Sequence, residues 1–150
     1  MSRHKVSDVM WELAEFAKEL LEESRQLLNY HRASAYKEET SVRLKINIEQ
    51  ARSIFEILAD ELLLDLMADV NAFETLSGQG TRPGESILTL RTGHLIKEGL
   101  PALEQYQKRV GRERGTLDEA RLKLIASKKR TLLSVCKQGT RSWELLKSIA

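Results

Sequence analysis

The chain has 150 residues, of which 41% are hydrophobic and 31% are charged. The length predicts a single domain over residues 1–150, and the composition excludes an intrinsically disordered chain. No window approaches the roughly 18 consecutive apolar residues of a membrane span, and charges within the first fifteen residues interrupt any signal-peptide core. The single cysteine, Cys136, excludes an internal disulfide bond. We therefore expect a cytoplasmic protein that does not contact membranes.

The net charge of +2 conceals two halves of opposite sign. Residues 1–75 hold nine Lys or Arg against fifteen Asp or Glu, a net charge of −6, whereas residues 76–150 hold fifteen against seven, a net charge of +8. Such a division has two interpretations. Either the halves fold against each other and partly neutralise one another, or they present charged surfaces to partners.

Residues 1–76 are predicted to form an acidic helical hairpin. All eight glycines and both prolines lie beyond position 77, so this half lacks the strongest helix breakers. Residues on one helical face recur in steps of four and three over 13–31 and again over 44–62. Residues 33–40 would connect the two helices. We expect these two faces to form the core, burying Leu20, Leu27, Leu58 and Leu62.

Residues 42–49 permit a second interpretation, because apolar and polar residues alternate there with the period of a β-strand. Residues 86–91 could supply a partner strand. Two strands alone would be only marginally stable, and the helical spacing runs through residues 42–49 without a break. A helix is therefore favoured over these residues, with a strand as the alternative.

Residues 77–84 contain three glycines and a proline, which predicts an exposed loop between the acidic hairpin and a basic helical half at 85–150. In the basic half, we expect a helix from residue 85 to be interrupted near Gly99 and Pro101. A further helix should then run to about residue 113 and end before Gly115.

The sequence Thr116 to Glu119 has the spacing of a capping box and predicts the start of another helix, which should run to about residue 138 and end at Gly139. A short final helix containing Trp143 should dock on the others. The predicted fold is an all-α bundle of four to five helices, built on a long antiparallel helical hairpin.

The strongest functional signal is a stripe of cations and hydroxyls in the last third of the chain. Its members recur in steps of four and three: Lys123, Ser127, Arg130, Ser134, Lys137 and Arg141. Such a face suits phosphate oxygens, although a charged stripe is commonly just the solvated side of a helix. Four cations at the end of the preceding helix could extend it: Lys108, Arg109, Arg112 and Arg114. With 5% aromatic residues, base stacking is not expected to dominate.

Carboxylates on the first two predicted helices suggest a different activity. Glu12 and Glu15 on the first helix, with Glu61 and Asp65 on the second, could bind Mg²⁺ through oxygen ligands. In its Glu12-x-x-Glu15 pair the chain resembles the all-α nucleotide pyrophosphohydrolases, which implies a small Mg²⁺-dependent nucleotide hydrolase. The second pair departs from that family's pattern by one residue, which turns a helical side chain by about 100°. A solvated acidic face is the other interpretation.

Taken together, these patterns favour a non-enzymatic helical subunit or adaptor of a larger assembly, with no catalytic residue and no cofactor. Its basic C-terminal face would contact a nucleic-acid backbone, such as RNA in a ribonucleoprotein, without sequence preference, or else an acidic partner. Contacts with other proteins or self-association are expected. The alternatives are the Mg²⁺-dependent hydrolase and a structural homodimer.

Overall fold

The computed structural model describes residues 5–33, 38–68 and 87–149, and over these residues the fold is all-α. The helices are α1 (Val6–Ala33), α2 (Glu38–Leu58), α3 (residues 61–68), α4 (Ile87–Val110), α5 (Glu119–Val135) and α6 (Arg141–Ser148). The predicted fold class is confirmed. Residues 42–49 lie within α2, so the strand alternative is wrong. The predicted loop at 77–84 lies outside the described residues, as do residues 34–37 of the predicted connection at 33–40; the rest of that connection is helical, with Ala33 in α1 and residues 38–40 in α2.

The core forms where α1 packs against α2 and α4. Helices α1 and α2 run antiparallel: Glu23 bonds Arg43 near one end, and at the other Arg121 reaches both Met10 and Ile57. The helical spacing seen in the sequence marks the buried faces. Fully buried side chains on these faces include Leu13, Ala17, Leu44, Ile48, Ala51 and Phe55.

The prediction of buried core residues is correct up to Leu58, where α2 ends, and is wrong for Leu62 beyond it. Leu20 and Leu58 are buried, and Leu27 is partly buried, but Leu62 is 50% exposed. Helix α2 ends at Leu58 because Ala59 adopts a left-handed conformation with φ of 53°. The Asp60 carboxylate then accepts a hydrogen bond from the Leu63 amide at 3.4 Å, which opens α3 in a new register.

Helix α4 continues through Gly99 and Pro101, so the predicted interruption there is wrong. Packing outweighs the local preference for a break, because Leu95 and Leu103 on either side are fully buried. Gly99 permits a close approach: a Cβ there would lie 2.9 Å from Leu21 Cδ1. A helix breaker in the sequence therefore serves as a contact point between α4 and α1.

The N-cap of α5 lies two residues after Thr116, the first residue of the predicted capping box. Asp118 is its N-cap, and the Asp118 carboxylate accepts a hydrogen bond from the Arg121 amide at 2.7 Å. Thr116 instead forms an isolated antiparallel bridge with Lys5. Gly115 has φ of +133°, which lets the chain turn so that its carbonyl accepts from the Val6 amide at 3.0 Å.

Helix α5 ends at Val135 rather than near residue 138, and Gly139, with φ of +84°, lies in the turn to α6. Helix α6 docks on α1 and α5, as predicted, and Leu146 and the C-cap residue Ile149 are buried there. The Thr140 hydroxyl caps it by accepting from the Trp143 amide at 3.2 Å. None of the described helices combines the length and apolar character needed to cross a bilayer.

Candidate nucleic-acid interface

Helix α5 presents the first four members of the predicted stripe on one exposed face. Ile125 and Leu132 are fully buried on the opposite side of the helix. At about 100° per residue, the stripe positions on α5 lie roughly 180° around the helix from these two residues. This exposed face comprises Lys123, Ser127, Arg130 and Ser134. We call these four residues the α5 face.

The two serines on the α5 face remain able to accept hydrogen bonds. Ser127 Oγ donates to the Leu124 carbonyl at 2.7 Å, and Ser134 Oγ donates to the Thr131 carbonyl at 2.6 Å. Each hydroxyl proton is therefore used by the preceding helical turn, whereas the oxygen lone pairs face solvent. Phosphate recognition through the α5 face would depend mainly on its cations, because only they offer free donors.

The stripe does not continue along one helix to Arg141. Because α5 ends at Val135, Lys137 lies in the following turn, and Arg141 begins α6. Arg141 Nε lies 3.2 Å from Glu12 Oε1 and so is committed to an ion pair with α1. Lys137 is exposed and has no ion-pair partner among the described residues. The sequence prediction is therefore wrong in placing Arg141 on the same helical face.

Three other cations of α5 are used by the fold. Arg121 donates to the Ile57 carbonyl at 2.5 Å and to the Leu58 carbonyl at 3.3 Å, which satisfies the C-terminal end of α2. Lys128 pairs with Glu56 of α2 at 3.1 Å. Lys129 Nζ donates to the Ile149 carbonyl at 2.6 Å, just beyond α6. No local pattern in the sequence marks Arg121, because its partners are distant in sequence.

The cations left on the α5 face are only weakly paired. Lys123 lies 3.5 Å from Glu119, but the two side chains are 77% and 84% exposed, so solvent screens the pair. Arg130 is exposed and has no ion pair within the part of the chain that the structure describes. Lys123, Arg130 and Lys137 are therefore available to an external anion.

The cations at the end of α4 divide into two groups. Arg109 lies 2.8 Å from Asp60 and its guanidinium sits 5.9 Å from the centre of the Tyr106 ring, so it is held between α3 and α4. Burial raises the pKa of Tyr106. Lys108 is exposed at the end of α4, and Arg112 and Arg114 are exposed in the turn that follows. Arg109 thus does not extend the free basic surface, whereas the other three remain accessible.

The opposite net charges of the two halves partly neutralise each other within the molecule. Among the described residues, three ion pairs join acidic residues of the first half to basic residues of the second: Glu12 with Arg141, Glu56 with Lys128, and Asp60 with Arg109. The two halves therefore fold against each other and partly neutralise one another, as one of the two interpretations held. The cations outside these pairs define the surface that remains basic.

The Glu12 pair also fixes α6 on α1. The Glu12 side chain is 8% exposed, and burial raises its pKa, with Arg141 opposing that shift. Ser142 Oγ donates to the Glu12 carbonyl at 3.4 Å, which adds a second link. Burial also raises the pKa of Glu19, about two helical turns further along α1, where Glu15 and Glu12 add to the effect and Lys137 opposes it. The Glu12 carboxylate is therefore part of a junction between α1 and α6 and is already paired with Arg141.

The Mg²⁺ interpretation is not supported by the arrangement of its carboxylates. Within residues 5–33, 38–68 and 87–149, no three His, Cys, Asp or Glu side chains could together hold a metal ion. Glu15 accepts a hydrogen bond from Gln107 at 2.7 Å, and Glu12 binds Arg141. Glu61 and Asp65 are exposed on α3, and the break at Ala59 separates their register from that of α2.

Cys136 does not form a nucleophilic site. It is 8% exposed at the end of α5, and burial raises the pKa of its thiol, opposed by a contact with the Thr140 hydroxyl at 3.7 Å. A raised pKa lowers the fraction of reactive thiolate at neutral pH. Cys136 is therefore a core residue.

The fold and this surface define an all-α helical bundle with an exposed basic helix. Comparisons with protein-family models, with curated proteins and with solved structures find no match to this chain.

Proposed function

We propose that the protein is a non-enzymatic helical subunit that binds the sugar–phosphate backbone of a nucleic acid through the α5 face and Lys137. The observation that carries the proposal is that Lys123, Arg130 and Lys137 remain exposed after neighbouring cations have been paired within the fold. The assembly in which it acts would be a ribonucleoprotein or a comparable complex.

The charge surrounding this surface supports the proposal. No Asp or Glu occurs between Ala120 and Trp143, so after Glu119 at its first position α5 and the following turn carry only cations. Phosphate contacts fix a protein on a nucleic acid but do not read bases. With few aromatic side chains, the protein has little means of base stacking. We therefore expect binding to unrelated sequences with similar affinity.

The test is fluorescence anisotropy with two unrelated labelled 20-nucleotide RNAs at low salt. Replacing Arg130 and Lys137 together by alanine should weaken binding to both RNAs about fivefold to tenfold, because two exposed ion pairs are lost. Lys45→Ala is the matched control, because Lys45 is exposed on α2 and has no ion pair among the described residues. It should bind as the wild type does.

Two results would reject the proposal. One is the absence of any binding to RNA or DNA at low salt by the folded wild type. The other is a loss of binding free energy with Lys45→Ala that reaches half of the loss in the double substitution, because one charge is then removed against two, and this would indicate a general response to net charge rather than a surface centred on α5. An acidic protein partner would then be the next candidate for this surface.

A further inference from the structure

A second basic site lies where the start of α1 meets the turn after α4. A cavity of about 710 Å³ that is open to solvent lies there. Its polar lining comprises Lys5, Ser7, Arg112, Glu113, Arg114 and Thr116. We call this the 112–116 cleft. It is separate in sequence from the α5 face, and the proposed binding surface does not include it.

The backbone holds the two sides of the 112–116 cleft together. Lys5 and Thr116 form an antiparallel bridge, and the Val6 amide donates to the Gly115 carbonyl at 3.0 Å. Gly115 adopts φ of +133°, a backbone conformation that residues with a Cβ rarely adopt. The position of Lys5 beside Arg112 and Arg114 therefore depends on tertiary structure.

The cleft has an excess of uncompensated positive charge. Lys5, Arg112 and Arg114 are exposed, and none has an ion-pair partner within the described part of the chain. Glu113 is the one carboxylate that lines the cavity, which leaves a net charge of +2 from these four residues. Three cations around one cavity repel each other, so an anion that enters it relieves that repulsion.

We propose that the 112–116 cleft binds a phosphate monoester, namely the terminal phosphate of the nucleic-acid strand that occupies the α5 face. This identification of the strand end rests on the proposed function. A terminal phosphate carries a charge of about −1.5 to −2 near neutral pH, whereas an internal phosphodiester carries −1. The +2 charge of the cleft matches the monoester better. Two arginines also offer the planar pairs of N–H donors that suit phosphate oxygens.

The experiment compares one 12-nucleotide RNA in three forms: with a 5′-phosphate, with a 3′-phosphate and with hydroxyl groups at both ends. A terminal phosphate should tighten binding about fivefold, as expected for a few solvent-exposed ion pairs. Arg112→Gln with Arg114→Gln should abolish this preference. The Arg130→Ala, Lys137→Ala variant should bind all forms more weakly but keep the preference, because its cleft is intact.

A second arm separates a strand end from a free monoester. Adenosine monophosphate, inorganic phosphate and adenosine are titrated into the ¹⁵N-labelled protein while the Gly115 amide resonance is followed. The monophosphate and phosphate should shift it, adenosine should not, and Arg112→Gln with Arg114→Gln should remove the shift. If no RNA form binds but the monophosphate shifts Gly115, the function proposed for α5 fails, and the cleft is assigned to a free phosphate monoester.

The proposal for the cleft is overturned if the three RNA forms bind equally and Gly115 responds no more to the monophosphate than to adenosine. It is also overturned if the phosphate preference persists in the Arg112→Gln, Arg114→Gln variant, because the end group is then recognised elsewhere. Equal binding of the RNA forms with a phosphate-dependent shift at Gly115 supports a site for free monoesters and rejects the strand end.

Discussion

The Arg121 guanidinium of α5 donates a hydrogen bond to the Ile57 carbonyl at 2.5 Å and thereby joins α5 to the end of α2. The same nitrogen lies 3.3 Å from the Leu58 carbonyl and 3.7 Å from Met10 Sδ. The last carbonyls of a helix lack internal partners and must find donors elsewhere. Arg121 supplies one, at the point where Ala59 turns the chain towards α3.

Replacing Arg121 by methionine should lower the free energy of unfolding by about 2 kcal/mol, because buried carbonyls would lose a charged donor. Urea denaturation measures this loss. Arg130→Met on the exposed side of α5 is the matched control and should change stability by less than about 0.5 kcal/mol. Equal losses in the two variants would mean that the Arg121 contact adds nothing to stability.

The boundary of the core at the α2–α3 break gives a second prediction. Leu58 is 4% exposed and Leu62 is 50% exposed, although they are one helical turn apart in sequence. Leu58→Ala should cost about 2–5 kcal/mol of stability, because it leaves a cavity. Leu62→Ala should cost less than about 1 kcal/mol. Thermal or urea unfolding of both variants tests the contrast, and similar losses would contradict the break in register.

The acid response of Glu23 gives a third prediction. Burial alone would raise its pKa, but hydrogen bonds from Arg43 and Asn47, with the charge of Arg43, lower it below 4.5. Its stabilising contribution is therefore present above 4.5 and is lost as the pH falls through the folded pKa. The stability advantage of the wild type over Glu23→Gln should shrink between about pH 6 and about pH 3. The effect should be small, since the side chain is 45% exposed.

Glu12 should show the opposite pH dependence of stability and so serves as a control for the Glu23 experiment. Burial raises its pKa in the fold, so the ionised form is penalised as the pH rises through the folded pKa. The wild type should therefore lose stability relative to Glu12→Gln as the pH rises above about 5. The two glutamates thus predict opposite slopes. Slopes of the same sign would contradict the contacts assigned to Glu12 or Glu23.

Salt dependence gives the prediction specific to the proposed function. Lys123, Arg130 and Lys137 are the three exposed cations of this surface, so log Kd against log salt concentration should have a slope of about 2 to 3 in magnitude. Removing Arg130 and Lys137 should reduce it to about 1, whereas Lys45→Ala should leave it unchanged. Anisotropy titrations at several salt concentrations measure both slopes. An unchanged slope in the double variant would place the contact on other cations.

The sequence alone determined the fold class, the α1 and α2 core faces and the exposed side of α5. These properties follow from periodicity: the steps that bury Leu13 and Leu44 are local and repeat with each helical turn. The solvent exposure of Lys123 and Arg130 follows from the same geometry, because Ile125 and Leu132 occupy the opposite side of α5.

Only the tertiary structure decided where helices end and which charges remain free. The continuation of α4 through Pro101 depends on the burial of α4 side chains against α1, and a local sequence pattern does not reveal the stabilisation that this packing provides. The use of Arg121 and Arg141 depends on carbonyl and carboxylate groups more than sixty residues away. A cation's neighbours in sequence set its helical face, but its partner in space decides whether it binds within the fold or remains available to a ligand.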